Sequence, residues 1–136
     1  EKIVNFCKRT GGNVPANEFE IARCVYDSLA LAYKHNILAL EKLTGRKIDV
    51  LHIVGGGSNN IMLNEATADA LGFRVTAGPG EGTALGNILC QLIALGKVKD
   101  AKEARQIVRN STEIKEYYPK NEQIYAEAYE RFLKLL

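Results

Sequence analysis

The sequence predicts an α/β fold in which helices pack on a partial sheet. Three observations carry that prediction. Long segments repeat apolar residues at helical spacing. Two short runs, 48–54 and 73–77, are rich in the apolar and β-branched residues of buried strands. Both runs end in glycine and lead directly into helical patterns. A length of 136 residues suits one domain.

Residues 1–8 read as a short helix with Ile3, Val4, Phe6 and Cys7 as its apolar positions, and Thr10-Gly11-Gly12-Asn13 ends it, because glycine supplies the positive φ of a helix C-terminus. Pro15 and Asn17 mark a loop. Residues 18–43 form a long amphipathic helix with the stripe Ala22, Val25, Leu29, Ala32, Tyr33, Asn36, Leu40 and Leu43, and Gly45 stops it. The run 48–54 is a strand whose apolar second half predicts cover on both faces. Gly55, Gly56 and Gly57 follow, then a helix over 60–71 with Met62, Leu63, Ala66, Ala70 and Leu71 apolar and Gly72 at its end. The second strand is 73–77. Gly78-Pro79-Gly80-Glu81-Gly82 is a loop, and a helix over 83–95 closes at Gly96. Two further helices cover 100–109 and 121–136; on the last, Tyr125, Tyr129 and Phe132 form a core-facing stripe. Tyr117-Tyr118-Pro119 reads as a packed turn.

Two strands cannot bury both faces of a stable sheet, and both read as central. The expectation is a portion of a larger sheet completed by further sequence or by a partner. A first residue other than Met agrees with that expectation. An uncovered sheet is also expected to self-associate.

Composition narrows the function classes. There are 18 basic and 16 acidic side chains, a net charge of +2, which argues against nucleic-acid partners and a polybasic membrane anchor. No apolar run approaches the roughly 20 residues of a membrane span, and no signal-peptide pattern opens the sequence. A cytoplasmic location is expected. Cys7, Cys24 and Cys90 show no C-x-x-C spacing and read as free thiols, two or three of them buried. Cys7 and Cys24 sit in neighbouring helices and could approach one another, though a reducing cytosol would keep them as thiols. His35 reads as solvent-facing and His52 as a satisfied core histidine; with no matching ligand spacing they make no metal site. Lys97, Lys99, Lys102, Arg105 and Arg109, interleaved with Asp100 and Glu103, read as a solvated helix face.

The most informative stretch is Leu51-His52-Ile53-Val54-Gly55-Gly56-Gly57-Ser58-Asn59-Asn60. A ligand crossing the end of this strand would meet no Cβ atoms, free backbone N–H groups and the positive end of a helix dipole. That suits a ribose, a phosphate or the face of a purine. The alternative is a tight strand-to-helix turn with no ligand. A Walker A loop would need Gly-Lys-Ser/Thr, and a dinucleotide fingerprint would need glycine where Asn60 stands. In the second glycine segment, Gly82 and Gly86 flank Ala84 at helical spacing, the sterics of tight helix packing or of a close contact at a domain hinge.

Together these segments resemble the C-terminal domain of the FGGY family of sugar kinases. The resemblance rests on Cys24-Val25-Tyr26-Asp27-Ser28-Leu29-Ala30-Leu31-Ala32-Tyr33, on the 51–60 stretch, on Leu63-Asn64 and Thr67-Ala68-Asp69-Ala70, and on Ala77-Gly78-Pro79, Glu81 and Thr83-Ala84-Leu85-Gly86-Asn87. Gly82 departs from it, since Ala is more usual there. The stretches 3–15 and 101–119 are similar too. The resemblance implies the C-terminal part of an actin-like ATPase (ribonuclease H-like) domain, so that 1–136 is part of a nucleotide-binding domain whose N-terminal sugar-binding and catalytic partner domain is absent. It implies ATP with Mg²⁺ as cofactor and phosphorylation of L-rhamnulose. L-fuculose or xylulose as substrate, or a non-catalytic binding module, are the alternatives. It places the adenine nucleotide at Gly56, with Gly55 and Gly57 allowing close approach and Ser58, Asn59 and Asn60 bordering the base. No catalytic residue is assigned. Asp27 and Asp69 lie within helices, Asp49 begins a strand, and Glu81 precedes a helix as a cap or dipole partner.

Overall fold

Capping chemistry fixes most of the element ends. The computed structural model describes residues 1–136, as six helices and three strands. Helix α1 (Lys2–Thr10) ends at Gly11, which takes the left-handed conformation at φ 68°. Helix α2 (Glu18–Thr44) begins at Asn17, whose side chain accepts from the Glu20 N–H, while the Glu20 carboxylate accepts from the Ala16 N–H at 2.9 Å. The first bond satisfies an orphan donor of the first turn, and the second ties the chain just ahead of the cap to it. Gly45 ends α2 in the left-handed region. Strand β1 (Val50–Ile53), helix α3 (Ile61–Leu71) and strand β2 (Arg74–Ala77) form a parallel crossover unit, with Val50 opposite Arg74 and Ile53 opposite Ala77. Helix α4 (Gly82–Ala94) follows, then α5 (Ala101–Ser111), capped by Asp100 through the N–H groups of Lys102 and Glu103. Strand β3 (Lys115–Tyr117) pairs antiparallel to β2, and α6 (Glu122–Leu133) closes the chain.

The core lies where α2, α3 and α6 meet. Ala30 and Leu31 of α2, Ala66 and Ala70 of α3 and Tyr125 of α6 form one buried cluster, with Ala128, Tyr129 and Phe132 packed against it. Alanine at the α2–α3 contact lets the two backbones approach, and the aromatic residues fill the space on the α6 side. Polar pins reinforce these contacts. The Tyr125 hydroxyl donates to Asp27, which also pairs with Arg23 at 2.8 Å. Burial and the Asp27 carboxylate push the Tyr125 phenol well above its ordinary value. The Asp69 carboxylate accepts from the N–H groups of Lys120 and Asn121 and from the Asn121 side chain, so it fixes the entry into α6.

The α/β fold of helices on a partial sheet is as expected, but several details differ. The inward face of α2 carries Ala30 and Leu31, whereas Leu29, Leu40 and Leu43 of the expected stripe are exposed, Leu43 at 84%. The helix has apolar residues on two faces, and α3 and α6 take the face bearing the smaller residues. A third strand exists, which the polar run Lys115-Glu116-Tyr117 concealed. Among the three strands of this chain β1 pairs with β2 alone, and Val54 just beyond it is exposed. His35 is not solvent-facing: its Nδ1 lies 3.2 Å from the Tyr129 hydroxyl, and its ring packs near Phe132. His52 is exposed rather than in the core, although it is hydrogen-bonded, with Nδ1 2.6 Å from the Thr76 hydroxyl. Tyr118 of the expected packed turn is exposed. Of the cysteines only Cys7 is buried; Cys24 is partly buried and Cys90 exposed, all as free thiols. Burial and the nearby Cys7 push the Cys24 thiol up. Helix α4 buries no residue, with Leu95 at its end 71% exposed. No helix is long and apolar enough to cross a membrane.

Asp69 makes stability depend on pH. Burial alone would raise its carboxyl, but the two backbone N–H groups and the Asn121 amide outweigh that and hold it below the ordinary carboxylate value. A depressed carboxyl stabilises the fold above the unfolded value of about 3.9, and the contribution is lost as pH falls through the folded value. Asp69→Asn is expected to cost about 1–3 kcal/mol at pH 7, with the gap to the parent narrowing below about pH 3. Urea denaturation at a series of pH values checks both.

Candidate functional site

The parallel pairing of β1 and β2 brings their C-terminal ends side by side, and each end runs into a glycine segment. Two backbone hydrogen bonds join the segments. The Gly78 N–H donates to the Ile53 carbonyl and the Gly55 N–H donates to the Pro79 carbonyl, both at 2.9 Å. A Cβ built on Gly80 would lie 3.4 Å from the Asn59 amide, and one on Gly82 would lie 3.5 Å from Val54. The two motifs singled out in the sequence are thus one structural unit. The close helix packing expected of Gly82 and Gly86 is not what unites them, because Gly86 faces open space.

Two glycines are required by backbone conformation. Gly55 sits at φ 82°, ψ −169°, a region closed to other residues, and there the chain turns out of β1. Gly78 sits at φ 122°, and a Cβ on it would meet the Glu113 carbonyl oxygen at 2.7 Å. Between Gly55 and α3 the chain makes a single 3-10 turn, Gly56–Asn59. Both the N–H and the hydroxyl of Ser58 donate to the Gly55 carbonyl, at 2.9 and 2.7 Å. Asn60 then caps α3, its side-chain oxygen accepting from the Leu63 N–H at 3.0 Å. The helix expected directly after the glycines is therefore preceded by this turn.

The six residues predicted for the nucleotide site play different parts. Gly56 and Gly57 are exposed, and a Cβ on either would meet nothing within 4 Å. They present bare backbone at the start of a turn, where N–H groups have no partner inside the turn. Gly55, Ser58 and Asn60 build the turn instead: Ser58 is only 5% exposed with its hydroxyl engaged, and the Asn60 oxygen is committed to α3. Asn59 is exposed beside Gly80.

Cavities flank the glycine pair. One of about 200 Å³ lies between the two segments and β3, lined by Asn59, Gly78, Gly80, Glu113 and Lys115 among others. A second, of about 400 Å³, lies along the outer edge of β1 between Gly57 and Tyr33, Ile37, Leu51 and Leu63, and is largely apolar. Bare backbone, a neighbouring helix N-terminus and an apolar wall together suit a flat heterocycle carrying a polar or anionic tail. Lys115 was not foreseen, because β3 was not: three residues, two of them charged, give no strand pattern to read. Glu81 stands at the N-cap of α4 without a side-chain cap bond, so only its charge favours that helix end. The chain brings no three His, Cys, Asp or Glu side chains together in one place.

Comparison with known proteins gives consistent matches. The family described as "FGGY family of carbohydrate kinases, C-terminal domain" matches residues 5–95, which include both glycine segments. The rhamnulokinase of Bacillus subtilis (strain 168) is 47% identical over 121 residues, covering 89% of this chain and 25% of the relative. The rhamnulokinase of Enterococcus faecalis is 47% identical over 133 residues, covering 95% of this chain and 27% of the relative. That of Bacteroides thetaiotaomicron is 39% identical over 132 residues. The chain spans about a quarter of the length of these relatives.

Two alanine substitutions separate scaffold from surface. Gly78→Ala is expected to lose about 1–3 kcal/mol, because a strained φ and a backbone clash coincide. Gly56→Ala should stay within about 0.5 kcal/mol of the parent. Thermal and urea denaturation of the two variants side by side checks the contrast.

Proposed function

The chain belongs to the FGGY family of carbohydrate kinases, and from that membership we propose that it is the nucleotide-binding portion of a cytoplasmic sugar kinase. Its sugar is L-rhamnulose, a reading supported by relatives that carry the name rhamnulokinase. The observation that carries the nucleotide assignment is the side-chain-free surface at Gly56 and Gly57 beyond the C-terminal end of β1, with Gly57 lining the apolar cavity beside it. Ligands of open α/β sheets bind at such strand ends.

The residues present fit an adenine nucleotide. A Cβ at Gly56 or Gly57 would occupy the space the ligand needs, and the backbone there offers donors without side-chain bulk. ATP, when bound, supplies the phosphoryl group, and Mg²⁺ arrives on its phosphates, held mainly by phosphate oxygens and water. Gly56 and Gly57 hold the nucleoside side of the ligand. Gly55, Ser58 and Asn60 keep the turn in shape, and Gly78 keeps the second segment against the first. None of Asp27, Asp49 and Asp69 is placed to act as general base. Asp27 and Asp69 are engaged between helices, and Asp49 lies at the opposite end of β1. The sugar pocket and the base belong to the remainder of the kinase, and the chain alone transfers no phosphate.

The test is a titration of the chain with MgADP followed by amide NMR. Saturable shifts centred on residues 55–60 are expected, and Gly56→Val should abolish them. The substitution leaves the fold intact, because a side chain there meets open space. A folded chain whose spectrum ignores MgADP would refute the proposal that this chain carries a nucleotide subsite of its own.

A further inference from the structure

Of the buried polar side chains in α3, one reaches out of the helix toward the glycine turn. Asn64 is 0% exposed, and its Nδ2 donates to the Ser58 carbonyl oxygen at 2.8 Å. The N–H and hydroxyl of Ser58 already grip the Gly55 carbonyl. Ser58 is therefore held from both sides, by Gly55 through its donors and by Asn64 through its carbonyl. The two residues between those grips are Gly56 and Gly57.

We propose that Asn64 is the positioning residue of this turn: its buried carboxamide fixes the backbone that presents Gly56 and Gly57, and through it the affinity for nucleotide. The second half of that statement rests on the nucleotide reading above; the first does not.

The hydrogen bonding of Asn64 itself argues for this role. Its Oδ1 is the one buried side-chain nitrogen or oxygen in the chain without a hydrogen-bond partner. A buried acceptor left unpaired is unfavourable, so packing between helices does not explain an asparagine at this site. An apolar residue of similar size would remove the orphan oxygen, but it would leave the Ser58 carbonyl without its donor. The other buried polar residues of α3 are explained locally. Thr67 donates back to the Leu63 carbonyl, and Asp69 is saturated by Lys120 and Asn121. Neither touches the turn.

Asn64→Leu removes the amide, and Asn64→Asp keeps its volume while replacing the donor with an acceptor at neutral pH. Thr67→Val is the control, a buried polar change on the same helix that leaves the turn alone. Three readouts apply to each variant: the melting temperature, the amide shifts of residues 55–60 without ligand, and the MgADP affinity. Both Asn64 variants should displace those amide shifts and weaken MgADP roughly tenfold, about 1.4 kcal/mol. Thr67→Val should lower the melting temperature while leaving the shifts and the affinity as in the parent. Asn64 variants that fold with unaltered turn amides overturn the proposal. So does loss of fold in both, which would make Asn64 a residue of the whole core. If the parent itself does not bind MgADP, the nucleotide reading falls, and the unliganded amide shifts still decide the role of Asn64.

Discussion

The glycine unit depends on how close α3 can lie to its neighbours. The helix must pack on α2 and α6 while also joining two parallel strands. Ala66, Ala68 and Ala70 make this possible, each almost wholly buried, because a side chain no longer than a methyl lets backbones approach on several sides at once. Larger residues at these positions would lift α3 away and carry the ends of β1 and β2 with it. The Asp69 carboxylate then seals the third side by holding the first residues before α6. The site is at the surface, but its geometry is set in this alanine-lined core.

Within the site, labour is divided between residues that shape the backbone and residues that present it. Gly55 and Gly78 take conformations other residues avoid, and Ser58, Asn60 and Asn64 satisfy polar groups around the turn. Gly56 and Gly57 do neither and are left uncovered. Three adjacent glycines thus differ in character: the first is required by torsion, and the other two are ordinary in torsion and open to solvent.

The sequence made the ends of elements more legible than their faces. Gly45 and Gly72 end helices by chemistry that is local, so a short window suffices to read them, whereas Asn17 and Asp100 became recognisable as N-caps only once the helix starts were placed. The two glycine segments were legible for the same reason. The inward face of α2 was not, because Leu29, Leu40 and Ala30, Leu31 compose two competing apolar faces, and only the partner helices decide between them. The histidines exchanged environments for a related reason: His35 is drawn in by Tyr129 and Phe132, more than ninety positions away, while His52 lies on a face of the sheet with little cover. Strand β3 is too short and too polar to carry a periodic signal. That the two glycine segments bond to each other also required the fold, since spacing along the chain says nothing of which carbonyl Gly55 will meet. The contact of Asn64 was hidden because it is one of four polar residues on α3, and spacing alone does not say which of them reaches the turn.

A surface of bare backbone has no rotamers to freeze. A ligand settling on Gly56 and Gly57 orders no side chain there, so the entropic penalty that accompanies most protein contacts is largely absent. The turn beneath is already fixed by Ser58 and Asn60, which leaves little backbone freedom to lose either. The same feature narrows the paths open to mutation. Side chains elsewhere can be traded for others of similar shape, whereas any replacement at these two positions adds atoms to a surface that otherwise carries none. No residue other than glycine leaves that backbone bare.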